Sequence, residues 1–192
     1  MKIIDLSIYL DNDTPTYPGD DHPQVLQLTT VANQGWNSKK LTITSHIATH
    51  IDAPFHMFES GKKLDDFPLE TFAGSGVVLD ISNPQLDMVK ENDILLFSTG
   101  LAHDDYPSES LVSIDLGKKI VALKPKIVGF DSFSPDVSPF EIHRLFFKNN
   151  ILIAENLTNL KKLIGKRCNF YLLPLKIKDA DGAPCRAIAV LD

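Results

Sequence analysis

The sequence predicts a single α/β domain spanning residues 1–192. Three observations carry this. Short aliphatic and β-branched runs alternate with helix-compatible segments along the whole chain, the pattern of a mixed layered fold. One run, ILIAEN at 151–156, is apolar enough to be a strand buried on both faces. The 192 residues, 43% of them hydrophobic, suit one core, and no repeat, low-complexity tract or linker divides them.

The elements follow in order. KIIDLSIYL at 2–10 reads as a strand. DNDTPTYPGDDHP is turn chemistry, and Tyr17 stands in it beside Pro18. Such a rigidly flanked aromatic either walls a pocket or packs on its own hairpin. Strands are expected at 24–31, 76–81, 93–98, 127–130 and 169–175, with a last one at 186–191 after the Asp181-Gly182 turn. Helices are expected at 85–91, 114–123 and 158–165. His103 lies among acidic loop residues and reads as solvated. A further helix starts at Ser138 as N-cap, with Pro139 at its first position and Glu141 completing a capping box. It carries His143 and ends at Asn149-Asn150. Glu155 closes the apolar strand that follows, where ligands gather in open α/β sheets.

Composition excludes several classes. Net charge is -6, which leaves no basic patch for nucleic acid. No apolar run approaches the length of about 18 residues that a membrane span needs. The amino-terminal stretch has no apolar run suited to a signal peptide. Cys168 and Cys185 are too few for a disulfide framework, so both read as small buried hydrophobes and the cytoplasm as the location.

The chemistry concentrates at LTITSHIATHIDAPFH, residues 41–56, where His46, His50, Asp52 and His56 follow the spacing H-x3-H-x-D-x3-H. Imidazole and carboxylate together suit zinc and other borderline divalent metals. Apolar odd and polar even positions predict a strand over 41–52, ended by Pro54, with His56 in the next turn. Residues four apart lie about 13 Å apart along a straight strand. His46 and His50 therefore share an ion only if the chain kinks near Ala48 and Thr49, or else two metals are present. A divalent metal lowers the pKa of bound water towards 7, and a histidine not needed as a ligand can move protons. His56, offset by the proline, is that histidine. Hydrolysis of an amide, formamide or lactam is the reaction this set suits. No G-x-S-x-G, G-x-G-x-x-G or P-loop is present.

HIATHIDAPFH resembles the HxGTHxDxPxH signature of the metal-dependent cyclase family, which includes bacterial kynurenine formamidase (arylformamidase) and isatin hydrolase. TPTYPGD, VGFDSFS, EIHRLFFKNNILIAENL and PLKIKDADGAPCRAIA resemble further segments of that family. The resemblance implies a swivelling β/β/α fold. It implies one metal on His46, His50 and Asp52, and a second on Asp52, His143 and Glu155, as two zinc ions or alternatively manganese. It implies His56 as proton donor and acceptor and Tyr17 as a substrate-binding aromatic. It implies a small-molecule amide substrate and a homodimer or higher homo-oligomer, while charge and hydropathy give the expectation of no nucleic-acid or membrane partner. The leading expectation is hydrolysis of N-formylkynurenine to kynurenine and formate. The alternatives are an isatin-hydrolase-like lactamase and a metal-binding module without catalysis. Ala48 stands where the signature has glycine, and Tyr17 where formamidases often have tryptophan.

Overall fold

The computed structural model describes residues 1–102 and 104–191, so the expectation for His103 falls outside the described residues. Among these, the strands in chain order are β1 (Lys2–Asp5), β2 (Gln24–Thr29), β3 (Ser38–Thr42), β4 (His50–Asp52) and β5 (Ala73–Asp80). They continue with β6 (Ile94–Ser98), β7 (Ile127–Phe130), β8 (Leu152–Glu155), β9 (Arg167–Pro174) and β10 (Gly182–Leu191). The helices are α1 (Val31–Gln34), α2 (Ile114–Ala122) and α3 (Glu141–Lys148).

One sheet closes on itself. Its order is β10-β4-β8-β7-β6-β5-β9, and β9 pairs back onto β10. β5 to β8 run parallel, and β1 is added to β10 in antiparallel register. Parallel neighbours with both faces covered need apolar residues at successive positions, which is why ILLF and IVGF are buried throughout. Alternate residues fill two cores. Val78, Ile94, Leu96, Ala154, Phe170 and Ala187 belong to the cluster inside the closed sheet. Val77, Leu95, Phe97 and Val128 pack outward against Ile120 of α2 and Phe146 of α3. The α/β class expected from the alternation therefore holds, in the form of a barrel-like sheet with few helices. No helix among the described residues is long and apolar enough to cross a membrane.

β2 and β3 form a separate two-stranded ribbon with α1 in its turn. Leu26, Leu28, Leu41 and Trp36 are exposed on it.

Several boundaries differ from expectation, each for a local reason. The 158–165 helix is a single 3-10 stretch, Leu160–Leu163, and the 85–91 helix another, Leu86–Met88. α3 begins at Glu141, because Phe140 sits in the left-handed region with φ 61° and cannot be a first helical residue. Its cap is Asp136, whose Oδ2 accepts from Ile142 N at 2.6 Å, so Ser138 and Glu141 form no capping box. Cys168 is buried and Cys185 half-buried, its thiol pushed up to about 12 by burial and then by Asp52.

The continuous strand expected over 41–52 is two strands. β3 stops at Thr42 and β4 starts at His50. Between them Ala48 turns at φ 52°, the kink needed if His46 and His50 are to share one ion. An alanine at positive φ costs roughly 1–2 kcal/mol. Glycine would relieve that, but its extra conformational entropy offsets about 0.5–1 kcal/mol. Ala48→Gly is therefore expected to unfold in urea within about 1 kcal/mol of the parent. Ala48→Val, β-branched at a buried left-handed site, should lose about 2 kcal/mol or more. Equal stability of the valine variant would show that the kink relaxes freely.

Candidate metal centre

Asp52 lies at the middle of the site, on the shortest strand. β4 is flanked by β10 and β8, and its register sets Asp52 opposite Gly182 and His50 opposite Glu155. Asp52 Oδ1 is 2.7 Å from His46 Nδ1 and 3.3 Å from His50 Nε2. Its Oδ2 is 3.9 Å from His143 Nε2. Glu155 Oε2 lies 3.4 Å from His50 Nε2, and Oε1 3.4 Å from His143 Nε2. Two groupings share Asp52: His46, His50 and Asp52, and Asp52, His143 and Glu155, each with ligand atoms within 4.8 Å of one another. The five residues expected as ligands thus converge. The Ala48 kink returns His46 to Asp52 although it lies outside β4.

The other nitrogen of each ring is held from behind. His50 Nδ1 donates to Ala48 O at 2.8 Å, so the kink that delivers His46 also orients His50. His143 Nδ1 donates to Asp136 Oδ1 at 2.5 Å. His46 Nε2 donates to Asp181 Oδ2 at 2.8 Å. Such outer partners fix the tautomer and ring plane of a metal-binding histidine. They leave His50 Nε2, His143 Nε2 and His46 Nδ1 facing the carboxylates. His50 Nε2 and Glu155 Oε1 are buried without a hydrogen-bond partner. An unsatisfied buried polar atom costs about 1–3 kcal/mol, so a pair of them facing each other's neighbours fits a cation. Nitrogen with carboxylate oxygen is a zinc-compatible donor set, also open to manganese.

Electrostatics agree with that fit. Burial opposes charge on His46, but Asp52 and Asp181 outweigh it and raise its pKa to about 9. Burial is likewise outweighed at His143, where Asp136 and Glu155 raise it to about 10. Burial tends to raise Asp52, yet the His50 and His46 charges hold it well below the usual carboxylate range. At pH 7 the metal-free rings of His46 and His143 therefore carry protons that an incoming metal displaces. Because the folded values lie above neutrality, apparent metal affinity is expected to rise with pH and level off only beyond about 10. Titration calorimetry in buffers of different ionisation enthalpy reads the protons released. Uptake at pH 7 without proton release would contradict the charge state.

His56 follows Pro54 in a 3-10 turn and faces the same cavity of about 400 Å³. Its ring centroid is 4.0 Å from that of His46 and 6.3 Å from that of His143. It belongs to neither grouping around Asp52. Burial, then the His46 and His143 charges, lower its pKa, so it is neutral at pH 7 and able to accept a proton. The cavity walls include Tyr17, Met57, Phe133 and Phe140. Tyr17 meets Tyr106 edge-on at 5.2 Å, and Tyr106 stacks on Phe133 at 4.7 Å. Of the two readings left open for Tyr17, the pocket wall is the one the structure takes.

Four residues went unread in the sequence. Asp136 and Asp181 stand behind His143 and His46, and Phe133 and Phe140 line the cavity. Asp136 lies in the loop before α3, and its spacing to His143 follows no local repeat. Asp181 precedes Gly182 in what looks like an ordinary turn. The signal there is Gly182 itself, since a Cβ on it would sit 2.6 Å from His46 Cε1.

The Cyclase family model matches residues 4–137. A protein of Methanocaldococcus jannaschii without an assigned function is 34% identical over the full length of both chains. The kynurenine formamidase of Bacillus mycoides is 31% identical, covering 96% of this chain and 95% of that one. Isatin hydrolase A of Labrenzia aggregata superposes with a TM-score of 0.81 at 21% identity, over 98% of this chain and 93% of that one, which is a likeness of fold.

Proposed function

Because the chain belongs to the Cyclase family of metal-dependent hydrolases, we propose that it is an arylformamidase, hydrolysing N-formylkynurenine to kynurenine and formate. The observation that carries this is the pair of groupings sharing Asp52 beside an aromatic-walled cavity that also holds His56. His46, His50 and Asp52 would hold one zinc ion, and Asp52, His143 and Glu155 a second, with manganese as the alternative ion. Bound there, the metals would polarise the amide carbonyl and lower the pKa of a water.

The protein's own groups do the rest. The hydrogen bonds from behind keep the three ligand rings in place without substrate. His56, neutral at pH 7, takes the proton from the attacking water and passes it to the departing amide nitrogen. Carbon–nitrogen cleavage then leaves formate and the free arylamine, with one water consumed. Tyr17, Phe133 and Phe140 offer apolar faces to an aryl ring and exclude solvent from one side. A homodimer belongs to the same reading, supported by the apolar side chains left exposed on the β2–β3 ribbon. Light scattering in solution checks it.

The deciding experiment is metal analysis of the purified protein together with turnover of N-formylkynurenine and of isatin. Bound zinc with kynurenine and formate released in equal amounts is the expected result. Ring opening of isatin without formamide turnover would replace the proposed substrate by a cyclic amide. Metal without either reaction would point to a binding module. In the same assay Glu155→Gln should hold less metal, and unchanged stoichiometry would remove Glu155 from the ligands.

A further inference from the structure

We propose that Asp181 is a positioning residue that ties the ligand histidine His46 to the proton-transfer histidine His56. The proposal rests on the hydrolase reading above for the roles of those two rings. Its basis is one carboxylate oxygen. Asp181 Oδ2 accepts from His46 Nε2 at 2.8 Å and lies 3.6 Å from His56 Nδ1. The two rings it touches are themselves packed together, 4.0 Å between centroids. A shift of Asp181 therefore moves both.

The carboxylate is held by its backbone, although its side chain is partly exposed. Asp181 O accepts from Ala53 N at 2.8 Å, and the preceding Ala180 O accepts from Leu64 N at 2.9 Å. Gly182, next in sequence, pairs with Asp52. His56 N in turn donates to Ala53 O at 2.9 Å. The segment bearing Asp181 is thus bonded to the segment bearing Asp52 and His56 through Asp181 and Gly182, and to Leu64 through Ala180. Gly182 completes the arrangement by leaving room for the His46 ring against the strand.

A second chemistry is available to the same atoms. His46, His56 and Asp181 form a third group whose ligand atoms lie within 4.8 Å of one another. His46 cannot serve both uses cheaply. With its Nδ1 given to a metal beside Asp52, a second cation at Nε2 would require the ring to give up both protons. The hydrogen bond to Asp181 needs only the one proton that remains when Nδ1 faces a metal.

The test compares Asp181→Ala and Asp181→Asn in the full-length protein. Zinc affinity is measured by chelator competition, and kcat and KM with N-formylkynurenine. Asp181→Ala should weaken zinc binding about 10- to 100-fold, the usual effect of losing an outer partner. Its kcat should fall while KM stays within about twofold, because Asp181 acts on the rings and not on substrate binding. Asp181→Asn keeps an oxygen that accepts from Nε2, so it should restore most of the zinc affinity. It also keeps the side-chain volume, so it reports even if the alanine variant folds poorly. Parent-like zinc affinity and kcat in Asp181→Ala would overturn the proposal. So would inhibition of the parent by excess zinc that disappears in Asp181→Asn at unchanged affinity, since Asp181 would then be a cation ligand. The zinc measurement needs no substrate. Absence of formamide turnover in the parent would sink the arylformamidase reading and leave this one standing.

Discussion

Replacing His56 with alanine is expected to leave metal content at the parent level and to lower hydrolysis about 100- to 10,000-fold, the range a positioned acid–base group supplies. The separation of the two effects follows from geometry. His56 is outside both groupings around Asp52, so its loss removes no ligand from either. It faces the cavity beside His46 and is the histidine there whose pKa is lowered, not raised. The sign matters. A lowered value keeps the ring neutral, and so available as a base, down through the pH at which an ordinary histidine has taken up its proton. Activity should therefore persist on the acid side of pH 6.5 until His56 itself is protonated or metal is lost. Steady-state rates and metal content measured on the same preparation check this. A variant that hydrolyses near the parent rate would show that proton transfer belongs to another group.

The second large effect is expected from a residue with no functional atoms. Gly182→Ala would place a methyl 2.6 Å from His46 Cε1 and 3.0 Å from Nδ1. His46 cannot simply swing aside, because Asp52 and Asp181 hold its two nitrogens at 2.7 Å and 2.8 Å. One of those contacts must break. Metal affinity should drop about tenfold or more, with hydrolysis at limiting metal falling alongside it. The strand pairing of Gly182 with Asp52 uses backbone groups and survives the change. Circular dichroism should therefore match the parent while metal binding does not. Parent-like affinity would mean that the ring has slack the structure does not display.

Much of the site was legible in the sequence because its chemistry is dense. His46, His50, Asp52 and His56 fall within eleven residues, and no ordinary surface strand explains that. The spacing pointed to a kink near Ala48 and Thr49 or to two metals, and Ala48 turns at φ 52° without the signature glycine. Glu155 stood out by closing a wholly apolar strand, whereas His143 was found by resemblance, since a lone helix histidine has no distinctive local pattern. What stayed hidden is what depends on distant pairing. Asp181 becomes part of the site only when β10 docks on β4, a contact between residues about 130 apart that periodicity does not encode. The start of α3 was misplaced for a related reason. Ser138 and Glu141 make a plausible local cap, but Asp136 reaches the helix amides through a loop geometry set by the surrounding fold. Regular apolar strands such as Ile127–Phe130 were placed to the residue, because burial on both faces leaves a continuous signature.

β10 comes last among the strands yet touches β1, β4 and β9. On a ribosome, every other strand has emerged before the one that closes the ring. Until then the parallel core strands have no closed sheet around them, and the candidate ligand residues already synthesised lack both Asp181 and the backbone of Gly182 beside them. Closure of the sheet and the framing of the candidate metal centre thus both depend on β10. A nascent chain stalled short of residue 182 would hold all five residues of the two groupings around Asp52 and still lack the strand beside them.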